Sequence, residues 1–162
     1  MKKINVIFAC AAAEEYPGCA DLLYSYSEVN LIALPTTLVG REAGSVLAKG
    51  DVLVVDESVL ARDGFQVVRS VHHMYPGLNI LLVNEKSPNN KILEYLSIGV
   101  RGLIERKSCI SLLRRAIPAV YAGEIWMPRQ LVQSLKNQSI INGGSSAWDS
   151  HPSTMPGRGK MN

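Results

Sequence analysis

The chain has 162 residues, 47% of them hydrophobic and 19% charged, and a net charge of +3. That balance fits one globular domain with an appendage and excludes a chain too polar to bury a core. The longest apolar runs are near ten residues, too short for a membrane-spanning helix, and +3 is too small to imply nucleic-acid binding by itself.

The first run, Ile4-Asn5-Val6-Ile7-Phe8-Ala9, follows two lysines and precedes a string of alanines. It reads as a buried strand in preference to a secretion signal. It is interrupted by Asn5, it is short for a signal core, and its removal would leave later strands packed around a gap. Further β-rich runs follow at 29–34, 51–55, 79–83 and, more weakly, 100–104. Continuous apolar runs of this length suit strands buried on both faces, as in a parallel sheet.

Helical stretches separate them. Two short ones are expected over 18–27 and 40–48. A clearer one over 60–74 carries Val67, Val71 and Met74 at helical spacing and stops at Pro76-Gly77. Ser87-Pro88 opens a helix that ends at Gly99. Ser108 opens another over 108–121, with Ile110, Leu113, Ile117 and Val120 as its stripe. Pro118 lies inside it, removes a hydrogen bond to the Arg114 carbonyl and predicts a bend over 114–118. A sixth helix is expected from Pro128, carrying Leu131 and Leu135. The alternation predicts an α/β fold, a doubly wound five-stranded parallel sheet with an extra C-terminal helix. The domain is expected over 1–136. Residues 137–162, polar and rich in Gly, Pro and Ser, read as a linker or disordered tail.

Charge is uneven. Residues 1–100 carry net −3, residues 101–136 net +5 and the tail net +1. A basic band that includes Arg101, Arg114 and Arg115 is a solvated face or half of a charged interface. The three cysteines, Cys10, Cys19 and Cys109, are odd in number and lack metal-like spacing, which points to reduced thiols in the cytoplasm. Cys10 reads as a small buried thiol. His72 and His73 are adjacent on a helix, point about 100° apart and are expected at the surface without a shared metal.

Residues 99–132, GVRGLIERKSCISLLRRAIPAVYAGEIWMPRQLV, resemble the end of a receiver domain of the LuxR/NarL-type response regulators. Such domains close with a Gly-x-x-Gly strand, a cation, a Leu/Ala-rich helix and an Ala-Gly-Glu-x-Trp turn. The resemblance covers about residues 1–136 and implies a flavodoxin-like receiver fold. It also implies two-component signalling by phosphoryl transfer to an aspartate, with Mg²⁺ held by a pair of acids. The phospho-acceptor position falls on Asp56. The acid pair falls on Cys10 and Ala11, the hydroxyl position on Asn84 and the lysine position on Arg106. Only Asp56 keeps the family's residue.

Mg²⁺ requires a shell of hard oxygens, which Cys10 and Ala11 do not offer. Glu57 is not expected to compensate, because successive strand residues face opposite ways. Glu14 and Glu15 lie in or past the loop. Two readings of Arg106 stay open. It faces water, or it reaches Asp56, where the attraction amounts to about 4 kcal/mol at close range before desolvation is subtracted.

Trp126-Met127-Pro128-Arg129 resembles a Trp-x-(Thr/Ser)-Arg motif through which some degenerate members bind cyclic di-GMP, with Pro128 in the hydroxyl position. Trp126 would stack a guanine and Arg129 grip a phosphate.

The expected function is therefore that of a pseudo-receiver: no catalysis, no cofactor, no metal and no membrane. It would be a cytoplasmic module acting in transcription regulation through protein contacts, with a homodimer, a partner protein or a sensor kinase as partners. DNA would be reached only through a helix-turn-helix domain absent from this chain, which is a fragment or a stand-alone module. A residual phospho-switch at Asp56 and the cyclic di-GMP sensor remain as alternatives.

Overall fold

A computed structural model describes residues 2–11, 19–85, 91–128 and 133. The chain alternates β1 (Ile4–Ala9), α1 (Cys19–Ser25), β2 (Val29–Ala33), α2 (Arg41–Leu47), β3 (Val52–Asp56), α3 (Glu57–Asp63), α4 (Gln66–Met74), β4 (Asn79–Asn84), α5 (Ile92–Ser97), β5 (Val100–Glu105), a 3₁₀ turn (Arg106–Ser108) and α6 (Cys109–Tyr121). The five strands form one parallel sheet in the order β2-β1-β3-β4-β5. The first connection runs one way from β1 and the later ones the other, as in a doubly wound sheet.

Strand residues alternate between two cores because successive side chains point to opposite faces. Ile7, Leu53, Val55, Ile80, Leu82 and Leu103 pack on one side, with residues of α2 to α5. Val6, Phe8, Val52, Val54, Leu81, Val83 and Ile104 pack on the other, with Leu23 of α1 and the buried side of α6. Continuous apolar runs were the sequence's sign of this two-sided burial, and the strands are where they were expected, to within a residue.

The helices depart from expectation at Gly64, Met74, Ile110 and His72. The helix expected over 60–74 is two, α3 and α4, divided at Gly64, whose φ of +94° ends the first. Val68 and Val71 carry the buried side of α4, while Met74 is exposed. On α6 the buried residues are Cys109, Leu113, Ala116, Ile117 and Val120, and Ile110 faces solvent. The helix continues past Pro118 to Tyr121. His72 is not a free surface residue. It is half-buried, and its ring carbons lie against Gly99, whose φ is +113° and where a Cβ would come within 2.4 Å of the ring.

After α6 the chain returns along the outer edge of β5. Trp126 N donates to Arg101 O (3.0 Å), and Leu103 N donates to Trp126 O (2.8 Å). An otherwise open sheet edge is thereby covered. A Cβ at Gly102 would meet Leu81 Cδ1 at 2.3 Å but Trp126 O only at 3.4 Å, so packing against β4, and not the returning segment, is what excludes a side chain there. The expected Ser87-Pro88 helix start, the sixth helix with Leu131 and Leu135, and the 137–162 tail lie outside the described residues, as do Glu14, Glu15 and Arg129.

Candidate functional site

In an open parallel sheet, ligands gather at the carboxyl ends of the strands near the point where the winding reverses. Here that edge is formed by the ends of β1, β3, β4 and β5. Asp56 is the last residue of β3 and the N-cap of α3, and it is fully buried. Its Oδ2 accepts a hydrogen bond from Ser58 N at 2.9 Å. This satisfies one of the orphan donors at the start of α3.

Arg106 is the first residue after β5, and its guanidinium turns into the same edge. Nη2 donates to Asp56 Oδ1 at 3.1 Å and Oδ2 at 3.2 Å, and Nε reaches Oδ1 at 3.4 Å. The planar fork thus engages both carboxylate oxygens. On its other side Nη1 pairs with Glu85, and Nη2 lies 3.9 Å from Glu57 Oε2. Glu57 Oε2 also accepts from Glu85 N at 2.9 Å. One guanidinium, with a side chain 23% exposed, therefore sits among three carboxylates.

Glu57 corrects an expectation. The strand ends at Asp56, so strand alternation no longer governs residue 57, which begins a helix and brings its carboxylate toward Arg106. Glu85 was missed, although a signal existed. β4 pairs with β5 in a register that sets Asn84 beside Glu105, so the next residues, 85 and 106, emerge together.

The remaining positions bring no further acid. Cys10 is buried among apolar side chains, and its backbone N–H donates to Pro35 O at 3.0 Å. Ala11 is half-buried, with its N–H 3.4 Å from Ser58 Oγ. Asn84 is almost fully buried at the end of β4. Burial first, and then the charges of Glu57 and Glu94, push the Tyr95 phenol above its ordinary value, while a side-chain interaction with Asn84 pulls the other way.

The basic residues have local partners. Arg101 Nη1 donates to Leu96 O (3.2 Å) and Val100 O (3.1 Å), tying the end of α5 to β5. Arg114 and Arg115 are exposed on α6, and their guanidinium carbons lie 4.8 Å from the Tyr26 ring centre and 5.7 Å from the Trp126 ring centre. Trp126 is half-buried against the core on the α1–α6 side of the sheet and is not brought near Asp56 by any described contact. Among the described residues no group of three His, Cys, Asp or Glu side chains is arranged to hold a metal ion, and no helix is long and apolar enough to cross a membrane.

No family model matches the sequence, and no curated protein matches it. Solved structures do. The isolated receiver domain of RcsB from Salmonella enterica serovar Typhimurium, in its apo form, is 19% identical, with a TM-score of 0.71 over 83% of this chain and 99% of that one. A LuxR-family two-component response regulator from Aurantimonas sp. SI85-9A1 is 17% identical, with a TM-score of 0.70 over 86% and 99%. The signal receiver domain of the response regulator NarL from Mycobacterium tuberculosis is 18% identical, with a TM-score of 0.63 over 76% and 100%. The sheet order, the flanking helices and these likenesses together show that the chain has the flavodoxin-like fold of response-regulator receiver domains.

Proposed function

We propose that this chain is a pseudo-receiver, a signalling module whose phospho-acceptor position is permanently occupied by an internal ion pair and which works by protein contacts and not by turnover. The observation that carries the reading is the grip of Arg106 on both oxygens of the buried Asp56. An aspartate that accepts a phosphoryl group must present a free carboxylate oxygen to the incoming phosphorus. Here one oxygen faces the guanidinium and the other is shared by the guanidinium and Ser58 N.

The donor set does not suit Mg²⁺. A divalent cation takes several hard oxygens, and the acid-pair positions offer a thiol and a methyl group. The guanidinium beside Asp56 would also repel it. Charge developing on a transferring phosphoryl group would then lack the stabiliser such reactions rely on. In this reading the chain acts in transcription regulation as a homodimer or with a partner protein, and DNA contact belongs to a separate helix-turn-helix domain.

Incubation with acetyl phosphate and Mg²⁺ followed by intact-mass spectrometry tests it. The expected spectrum is that of the unmodified chain. An added phosphoryl mass that disappears in Asp56→Asn would overturn the proposal in favour of a working switch.

A further inference from the structure

Beside the ion pair, between α3 and α5, lies an open cleft of about 470 Å³. That volume is in the range of small-molecule sites. Its walls divide by chemistry. Leu60, Ala61, Phe65, Leu82 and Tyr95 form an apolar side, with the Phe65 and Tyr95 rings 5.1 Å apart and tilted by 43°. Glu57, Ser58 and Glu94 line the polar side, with Arg106 at its inner end and Lys91 exposed at its rim.

The lining holds two carboxylates, Glu57 and Glu94, and two cations, Arg106 and Lys91; with the Asp56 and Glu85 carboxylates that hold Arg106, acids outnumber bases here among the described residues. Arg106 is engaged by Asp56 and Glu85 and lies only loosely beside Glu57. Glu94 is exposed and makes no ion pair among the described residues. Two carboxylates therefore face a pocket whose one deep cation is already shared, next to two aromatic rings whose faces attract positive charge. The Tyr95 phenol is raised first by burial and only then by the charges of Glu57 and Glu94.

We propose that this cleft binds a small organic monocation, an amine whose ammonium group pairs with Glu57 and Glu94 and whose apolar body lies on Phe65 and Tyr95. The pocket is aimed at a ligand that no step of phosphoryl signalling requires, and it would bind such a cation whether or not Asp56 accepts a phosphoryl group. The rim position of Lys91 argues against a second positive charge on the far end of the ligand.

The test is a titration of the whole ¹⁵N-labelled chain, followed by amide chemical shifts, with four probes of nearly one shape: 2-phenylethylammonium, zwitterionic phenylalanine, neutral 2-phenylethanol and anionic phenylacetate. The ammonium probe is expected to saturate, to shift amides of α3 and α5, and to bind at least about tenfold more tightly than the neutral one, a difference of roughly 1.4 kcal/mol. Glu94→Gln, a conservative change at an exposed helix position, is expected to weaken it about tenfold by the same conversion while leaving the remaining spectrum unchanged. Phe65→Leu should weaken the amine and the alcohol alike. Tightest binding by phenylalanine or phenylacetate, shifts confined to other elements, no saturation by the amine, or an unaltered affinity in Glu94→Gln would each overturn the proposal. None of these outcomes bears on the acetyl phosphate result.

Discussion

At the scale of single residues, the decisive object is a carboxylate removed from water. Asp56 is fully buried, and a buried charge is tolerated only when paired and hydrogen-bonded. Arg106 and Ser58 N supply those partners. Arg106→Ala should therefore destabilise the fold by about 2 kcal/mol, below the loss seen for fully enclosed pairs because the guanidinium keeps some solvent access. Urea unfolding checks the value, and Arg106→Lys should lie between, since an ammonium cannot engage both oxygens through a planar fork. A second prediction concerns alkaline pH. The phenols of Tyr95 and Tyr26 are both raised above the ordinary 10.0, chiefly by burial. The folded state holds these protons more tightly than the unfolded chain. Their contribution is fully present below pH 10.0 and is lost as the pH rises through the higher folded values. Tyrosinate absorbance should show a late-ionising fraction among the six tyrosines, reduced in Tyr95→Phe.

At the scale of elements, glycines decide where helices stop. Gly64 divides α3 from α4, and Gly99 joins α5 to β5 with φ of +113° and with no room beside His72. Gly99→Ala combines a disfavoured backbone with overlap against an imidazole, and should cost about 2 kcal/mol or more. The measurement is thermal or urea unfolding beside Gly123→Ala, a control with positive φ but open space around it, which carries the backbone cost alone. Of these breaks, the end at Gly99 was legible because a glycine followed the last apolar residue of a helix. The break at Gly64 was hidden, because apolar residues continue on either side of it and the periodic stripe can be drawn through. Pairing along the outer edge of β5 was equally hidden: nothing local in Glu124-Ile125-Trp126 says that it returns to a sheet edge.

At the scale of the whole molecule, charge is segregated, with a basic stretch following a mildly acidic body. Arg114 and Arg115 are exposed on α6 but lie over aromatic rings of their own chain, which holds their charges at fixed places on the surface. If this face pairs two copies, sedimentation should give a concentration-dependent dimer that weakens as salt rises, because exposed charges are screened beyond roughly a Debye length of ~8 Å at physiological salt. Arg114→Glu with Arg115→Glu should shift the population to monomer. A monomer at all concentrations, in low salt, would remove the dimer from the proposed function.

The amino-acid sequence by itself determined the strands, their burial on both faces and the alternation with helices, because these depend on runs and periods a few residues long. It also placed Asp56, Asn84 and Arg106 at one edge, through the resemblance of about residues 1–136 to a receiver domain. Whether Arg106 turned inward or outward was left open, and only the tertiary structure decided it. That choice depends on parallel strands β3 and β5, separated by β4, ending level with each other, on Asp56 being shut off from water, and on Glu57 and Glu85 arriving from two other elements. A carboxylate in solution would exert little pull on a long flexible side chain. Removed from water, with its neighbours fixed by the sheet register, it fixes the guanidinium in return.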